Sequence, residues 1–395
     1  RLPLEQLSAR LQQQGRAWVI DPVEARLGGG TLRLKGRWEA GSTTPWLTEA
    51  TLQGVSPQRL HSAAPPAPLN GHLALRALGG QADALGFEVD LSPQAGGAAR
   101  PSPSTTQPQA QTQARTEPAG KAAKAPPAPA QALWTALQLR QAQAQGRWQG
   151  GELQLQQLKL ELAEARLEGS LQWHTGQRQG RADLKLQTPG LNAVLQGHLG
   201  ADQGQGQWQA QLSDAGALGR WLAHLPGLGS TATALPQQGQ GQFDGQWQGG
   251  WGAMLAAWQG QTTPRRGQAL SLSTRLDLPR LDWAATDQRP ALALRQLQLR
   301  LNGTLPGSGN PANNPTATPP LELSLSGEAR QGARQARLQA SAHAAPSASS
   351  PPGAFTWAAR LDDLSLSLQD SATAAPWGLR LSAPATLSLN HQAKA

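Results

Sequence analysis

Residues 151–162 read GELQLQQLKLEL, and their reading decides the fold. Leu153 and Leu155 alternate with polar residues, and so do Leu158, Leu160 and Leu162. Alternation at period 2 puts successive side chains on opposite faces of a strand, so each half is greasy on one side and wet on the other. The step from Leu155 to Leu158 breaks the period by one residue. A bulge near Gln156-Gln157 absorbs the extra residue and keeps all five leucines on one face. Two short strands joined by a tight bend are the competing reading. The same L-x-L-x-x-L-x-L-x-L spacing recurs in 291–301, ALALRQLQLRL, through Leu292, Leu294, Leu297, Leu299 and Leu301. A second bulge is expected there, near Arg295-Gln296.

Working outward, TLRLKGRW (31–38), LNGHLALR (69–76) and LELSLS (321–326) show the same alternation. Polar positions hold Gln, Arg, Glu, Lys and Ser, as in antiparallel sheets wetted on one face. A looser repeat accompanies them, apolar alternation, then Gly, then Trp, as in Gly36-Arg-Trp38, Gly146-Arg-Trp148, Gly206-Gln-Trp208 and Gly245-Gln-Trp247. Repeats of this kind stack along one axis and use their neighbours as cover. Two stretches leave the pattern. In 215–226, Leu218, Trp221, Leu222 and Leu225 fall at helical spacing, with Asp214 to cap and Pro226 to stop it. A weaker amphipathic helix is expected over 251–258. Both read as a plug or end cap of the sheet.

The expected fold is therefore all-β: an elongated, repetitive antiparallel sheet with one apolar face, the β-solenoid or β-sandwich array being the alternative. Strand blocks are expected at 1–95, 132–302 and 321–395. Residues 96–131, rich in Pro, Ala and Gln, and 303–320 lack periodicity and read as disordered insertions, with 341–353 as a similar loop.

Of the 395 residues, 44 are Gly, 31 Pro and 14 Trp, with no Cys. Disulfides and thiolate metal sites are thereby excluded. No apolar run reaches the ~20 residues of a membrane helix. Lacking an initiator Met, the chain reads as an internal segment whose anchor lies elsewhere. Its net charge of +9 comes from arginines set singly between leucines, unlike the basic patch with interleaved aromatics that nucleic acid requires. The seven histidines are scattered, without metal-ligand spacing. Gly-Gln runs such as Gly204-Gln-Gly206 lack a dinucleotide-loop context and read as turns. Asp362 and Asp363 are adjacent, so on a regular strand they face opposite ways and cannot share a substrate. No cofactor and no catalysis are expected.

Four stretches resemble one family. Residues 52–78 are similar to a strand, a short "p-x-x-L" turn and a returning "L-x-G-x-L-x-L" strand; 212–229 to a short helix closed by Pro and Gly; 164–173 to an "A-x-L-x-G-x-L-x-W" unit; and 354–389 to a Trp strand, a second Trp and an "L-x-L-x-x-P-A-x-L-x-L" hairpin. These are features of TamB and its relatives, the AsmA-like bridge proteins of the Gram-negative envelope. The resemblance implies an elongated, curved, taco-like periplasmic β-sheet, its parent anchored in the inner membrane, whose apolar inner groove conducts phospholipid between the two membranes or which assists outer-membrane protein assembly. An Omp85-type barrel, TamA-like, is then implied as partner through regions outside this segment. A secreted structural solenoid, such as an adhesin passenger, is the alternative function.

Physics fits the implied cargo. Each buried CH₂ is worth about 0.8 kcal/mol, so a 16-carbon tail needs roughly 13 kcal/mol of shielding in water. The ten leucines of the two bulged runs, Leu153 to Leu162 and Leu292 to Leu301, are the expected groove lining against phospholipid acyl chains.

Overall fold

The alternation resolves into one open antiparallel sheet of 21 strands, which is not closed into a barrel. The structure is a computed structural model and describes residues 4–39, 41–42, 44–61, 64, 67–79, 84–94, 136–226, 228, 235–252, 270–286, 290–305, 321–346, 354–371 and 373–392. The N-terminal strands are β1 Leu4–Ser8, β2 Leu11–Gln14, β3 Ala17–Leu27, β4 Gly30–Glu39, β5 Trp46–Val55, β6 Leu69–Ala77 and β7 Leu85–Pro93. The middle holds β8 Leu139–Gln149, β9 Glu152–Leu162, β10 Arg166–His174, β11 Gln179–Thr188, β12 Leu191–Gly200, β13 Gln205–Leu212 and β14 Gln238–Gln248. The rest are β15 Leu270–Trp283, β16 Leu292–Leu305, β17 Leu321–Gln331, β18 Arg334–Pro346, β19 Ala354–Gln369, β20 Trp377–Arg380 and β21 Ala385–Gln392. From β3 to β19 each strand pairs with the next, a simple meander. At its two ends β1 and β2 share β3, and β20 and β21 share β19.

Both expected bulges are present. Against β8, Gln145 pairs with Gln157 while Gly146 already pairs with Leu155; against β10, Gly169 meets Leu158 and Leu171 meets Leu155. Strand β9 is thus one residue longer than both neighbours across Gln156-Gln157, and the tight-bend reading is excluded. In β16 the extra residue falls between Arg295 and Gln298, where Gln296 adopts φ +50°. Strand β15 bulges at the same level, so Leu278 still faces Leu297 and Arg280 still faces Arg295. On the wet side Asp282 clamps this double bulge, accepting hydrogen bonds from Arg295 Nη1 at 2.6 Å and Arg280 Nε at 2.5 Å. Partial burial pushes the Asp282 carboxyl up, yet the two guanidinium groups outweigh it and hold it below the usual carboxylate range.

Helix α1, Pro57–Leu60, forms the turn between β5 and β6, and α2, Ala215–Ala223, follows β13. The backbone N–H of Ala217 donates to the Asp214 carboxylate at 3.0 Å, the cap expected from sequence. The helix stops at Ala223, short of Pro226, whose ring disfavours helical geometry at Leu225. Trp251 and Gly252 are described, but most of the helix expected at 251–258 lies outside the described residues, as does the insertion 96–131.

Several expectations are corrected. Residues 303–305 complete β16 and 341–346 complete β18; only 306–320 and 347–353 lie outside the described residues. Gly206 is no turn but sits inside β13 opposite Trp247. Asp362 is itself a bulge, since Ser341 pairs with Asp363 and Ala342 with Leu361. Its carboxylate bonds His343 Nδ1 and Arg360 Nε, so Asp362 and Asp363 share the wet face after all. Among the described residues neither a solenoid nor a sandwich forms: all strands belong to one open sheet, and no large side chain is fully buried.

Candidate functional site: the leucine face and its tryptophan lip

Register makes the apolar face continuous. Leu160 pairs with Ala142 on β8 and Leu167 on β10. Followed toward the N terminus, this row passes Leu91, Gly71, Leu52, Leu32 and Ala25 to Leu7. In the other direction it passes Leu186, Ala193, Ala210, Phe243, Leu276, Leu299, Leu325 and Ala340 to Leu364. One row of apolar residues and glycine crosses every strand except β2, β20 and β21, without a polar interruption. At about 4.8 Å per strand it is roughly 85 Å long. The five leucines of β9 span about 30 Å in the perpendicular direction at about 3.3 Å per residue.

All ten leucines expected to line a groove stand on this face, and each is half-buried. The most buried apolar residues are chiefly alanines, such as Ala77, Ala84 and Ala182, while Leu7, Leu75 and Leu323 stay 59%, 39% and 38% exposed. A sandwich core would bury its large side chains fully. Here no large side chain among the described residues is fully buried, and the leucines belong to one open sheet.

The other face is a charged ladder. The next register row runs through Glu24, Arg33, His72, Asp90, Lys159, Glu168, Lys185, Asp244, Arg275 and Arg300. Opposite signs face each other at several of its steps, as in the Glu24–Arg33 ion pair at 3.0 Å, although Arg275 stands opposite Arg300. Such exposed pairs contribute little stability each; their effect is to keep this side in water. A depression of about 720 Å³ lined chiefly by polar residues, among them Arg181, Gln196, Gln207, Gln246, Ser273 and Asn302, opens on this wet face.

One edge of the leucine face is a lip of tryptophan. Trp18, Trp38 and Trp46 stand in one register row on β3, β4 and β5, and Trp148 and Trp173 flank Leu153 at the same end of β8, β9 and β10. Trp247 and Trp251 continue the lip, whereas the opposite ends of the described strands carry Trp283 and Trp377. Sequence reading missed this asymmetry. The available signal was the Gly-x-Trp unit, which in β4, β8 and β14 ends its strand at this edge, whereas β13 starts there and carries Trp208 further in.

The unit also explains its glycines. Gly206 pairs with Trp247 and Trp208 with Gly245, so two copies of Gly-x-Trp interlock across β13 and β14. The two rings stack 5.5 Å apart at 15°. A Cβ on Gly206 would collide with the Trp247 ring and approach Gln196 O at 2.5 Å. Gly206→Ala is therefore expected to destabilise the sheet by ~1–3 kcal/mol through overpacking. Urea unfolding checks it, with the exposed Gln207→Ala as the near-neutral control.

The fold defines a class, single-layered antiparallel meanders with one continuous apolar face. No family model matches this chain, and neither a curated protein nor a solved structure does so.

Proposed function

We propose that this chain is a segment of an envelope bridge that carries phospholipid acyl chains along its leucine face, in the manner of the AsmA-like proteins it resembles, in the periplasm of a Gram-negative bacterium. The observation that carries the reading is the uninterrupted row from Leu7 to Leu364, most of it half-buried, on a single sheet without a second layer among the described residues. A face that greasy needs an occupant. A polypeptide laid on it would leave its own backbone N–H and C=O groups without partners, since the face offers almost no polar side chains. An acyl chain has no such groups. Because the row looks nearly the same at every strand, it holds a tail at many positions with similar strength, which is what movement along it requires. Assistance to outer-membrane protein assembly, and contact with an Omp85-type barrel, would involve regions outside this segment.

The test is site-specific photo-crosslinking in cells, with the crosslinker at position 160 or 299 on the leucine face and at 154 or 300 on the wet face. Phospholipid is expected on the first pair alone. Equal capture at Gln154 and Arg300, or capture of protein in place of lipid at Leu160, would refute the proposal.

A further inference from the structure

The wet face changes its chemistry in the middle of the sheet. Strand β4 keeps this side in water with Arg33, Lys35, Arg37 and Glu39, and β11 does so with Arg181, Asp183 and Lys185. On β13 every wet-side residue is glutamine, Gln205, Gln207, Gln209 and Gln211, and on β14 only Asp244 is charged. Two register rows carry this amide character further. One joins Gln196, Gln207, Gln246, Ser273 and Asn302, and the other joins Gln205, Gln248, Ser271 and Thr304. Together they line the depression of about 720 Å³, with Arg181 and Glu322 only at its two ends. Part of the lining is already oriented. Gln207 Nε2 donates to Gln196 Oε1 at 3.3 Å, and Gln196 Nε2 donates to Asp183 Oδ1 at 3.2 Å, so a chain of amides ends on a carboxylate. The side chains of Gln205, Gln246, Gln248, Ser273 and Asn302 hydrogen-bond no other described residue.

We infer that this depression holds an uncharged glycan laid across the strands. Polarity alone would have been served by ion pairs, as it is on the neighbouring strands. An ammonium or guanidinium group only donates and a carboxylate only accepts, whereas an amide or a hydroxyl does both. A sugar hydroxyl also does both, and a pyranose carries one on nearly every carbon, so the amide rows match it in kind. Spacing agrees. Successive positions along a row are one strand apart, about 4.8 Å, which is close to the advance per ring of a β-linked glycan. The row from Gln196 to Asn302 crosses β12 to β16 and is roughly 19 Å long, room for about four rings. Charge also selects. The residues of the two rows carry no formal charge, so an anionic or cationic polymer finds no counter-charge among them. A polypeptide would pair its backbone with the same amides but leave its apolar side chains in water. The site lies on the opposite side of the sheet from the leucines and is independent of the acyl-chain reading.

Each contact with sugar replaces one with water and returns little, so the test uses ligand-observed saturation-transfer NMR on the intact chain, which registers weak binding. The probes are cellohexaose and chitohexaose, both uncharged, with hexagalacturonate as the anionic and a glucosamine hexamer as the cationic counterpart. Saturable binding of an uncharged hexamer is expected, stronger than that of either charged one and nearly independent of salt. Gln207→Ala and Gln246→Ala are each expected to weaken it about fivefold, the equivalent of one neutral hydrogen bond. Both side chains are exposed, so the sheet stays folded, which circular dichroism checks. Arg33→Ala, far along the same face, leaves binding unchanged. Failure of both uncharged hexamers to bind overturns the inference, and that comparison needs no variant. Preference for a charged hexamer overturns it too, making the surface electrostatic, as does preference for a carboxymethylated, unfolded polypeptide, which assigns the surface to protein. Undiminished binding in either folded glutamine variant places the glycan elsewhere and overturns the site.

Discussion

Leu160→Arg abolishes phospholipid capture while the sheet stays folded; that is the expected result, and it separates an open face from a packed core. Leu160 lies at the middle of the continuous row, half-buried between Ala142 and Leu167. The substitution loses the partial burial of one leucine, about 1–1.5 kcal/mol. Its small neighbour on β8 leaves space for the arginine stem to lie along the face while the guanidinium reaches water. An acyl tail crossing that strand meets a charge it cannot pair. Desolvating the guanidinium against hydrocarbon costs several kcal/mol, far more than one strand's worth of contact returns. Crosslinking from position 299 should therefore fall when Arg is at 160, although the two sites are many strands apart. Circular dichroism and the urea midpoint check the fold. If the variant unfolds as a buried leucine-to-arginine change would, and Leu160→Ala also costs the 2–5 kcal/mol typical of a core cavity, then the leucines are a core and the conduit reading falls.

Most of the sheet was legible because leucine marks the apolar face so consistently. The interruption at Leu155-Gln156-Gln157-Leu158 was as informative as the alternation, since a period-2 pattern tolerates an odd step only at a bulge. Its counterpart in β15, Leu276, Leu278, Leu281 and Trp283, was overlooked because Pro279 disguises the strand there. Residues 341–346, Ser-Ala-His-Ala-Ala-Pro, were misread because alanine does the work of leucine: Ala342 faces Leu361 and Ala344 faces Ala359. Glycine gave the opposite error. A strand glycine under an indole has the same local sequence as a turn glycine, and only cross-strand register distinguishes Gly206 from Gly150, which does turn the chain with φ +55°. The tryptophan lip was invisible for a related reason, because which end of a strand a residue occupies depends on the direction of every strand before it. What lies on the leucine face has no sequence signature at all. A face covered by protein and a face covered by lipid need the same residues.

Deleting Gln156 is expected to have the largest effect on stability of any single change to a surface residue of this sheet. The side chain is exposed and contributes almost nothing itself, so Gln156→Ala should stay within about 0.5 kcal/mol of the parent. Removing the residue is different in kind. With the bulge gone, β9 keeps either its first half or its second half in register with β8 and β10, not both. If Leu158 to Leu162 hold, residues 152–155 slip by one: Leu153 and Leu155 turn to the wet face, and Gln154 and Glu152 turn onto the leucines. Two half-burials are lost and two polar groups are placed against hydrocarbon, for a total of ~3–5 kcal/mol. Glu152 also leaves its partners on β10, the Gln172 amide that does most to hold its carboxyl below the usual range and His174 at 3.4 Å. The neighbours are built for the bulge and cannot follow. Gly169, opposite it on β10, adopts φ +149°, a conformation that side chains rarely take. The deletion should therefore lower the urea midpoint sharply, and it should expose Trp148 and Trp173, which flank Leu153, to a collisional quencher. A deletion variant as stable as Gln156→Ala would mean that the extra residue is a passive loop, and that the two halves of β9 find the leucine face independently.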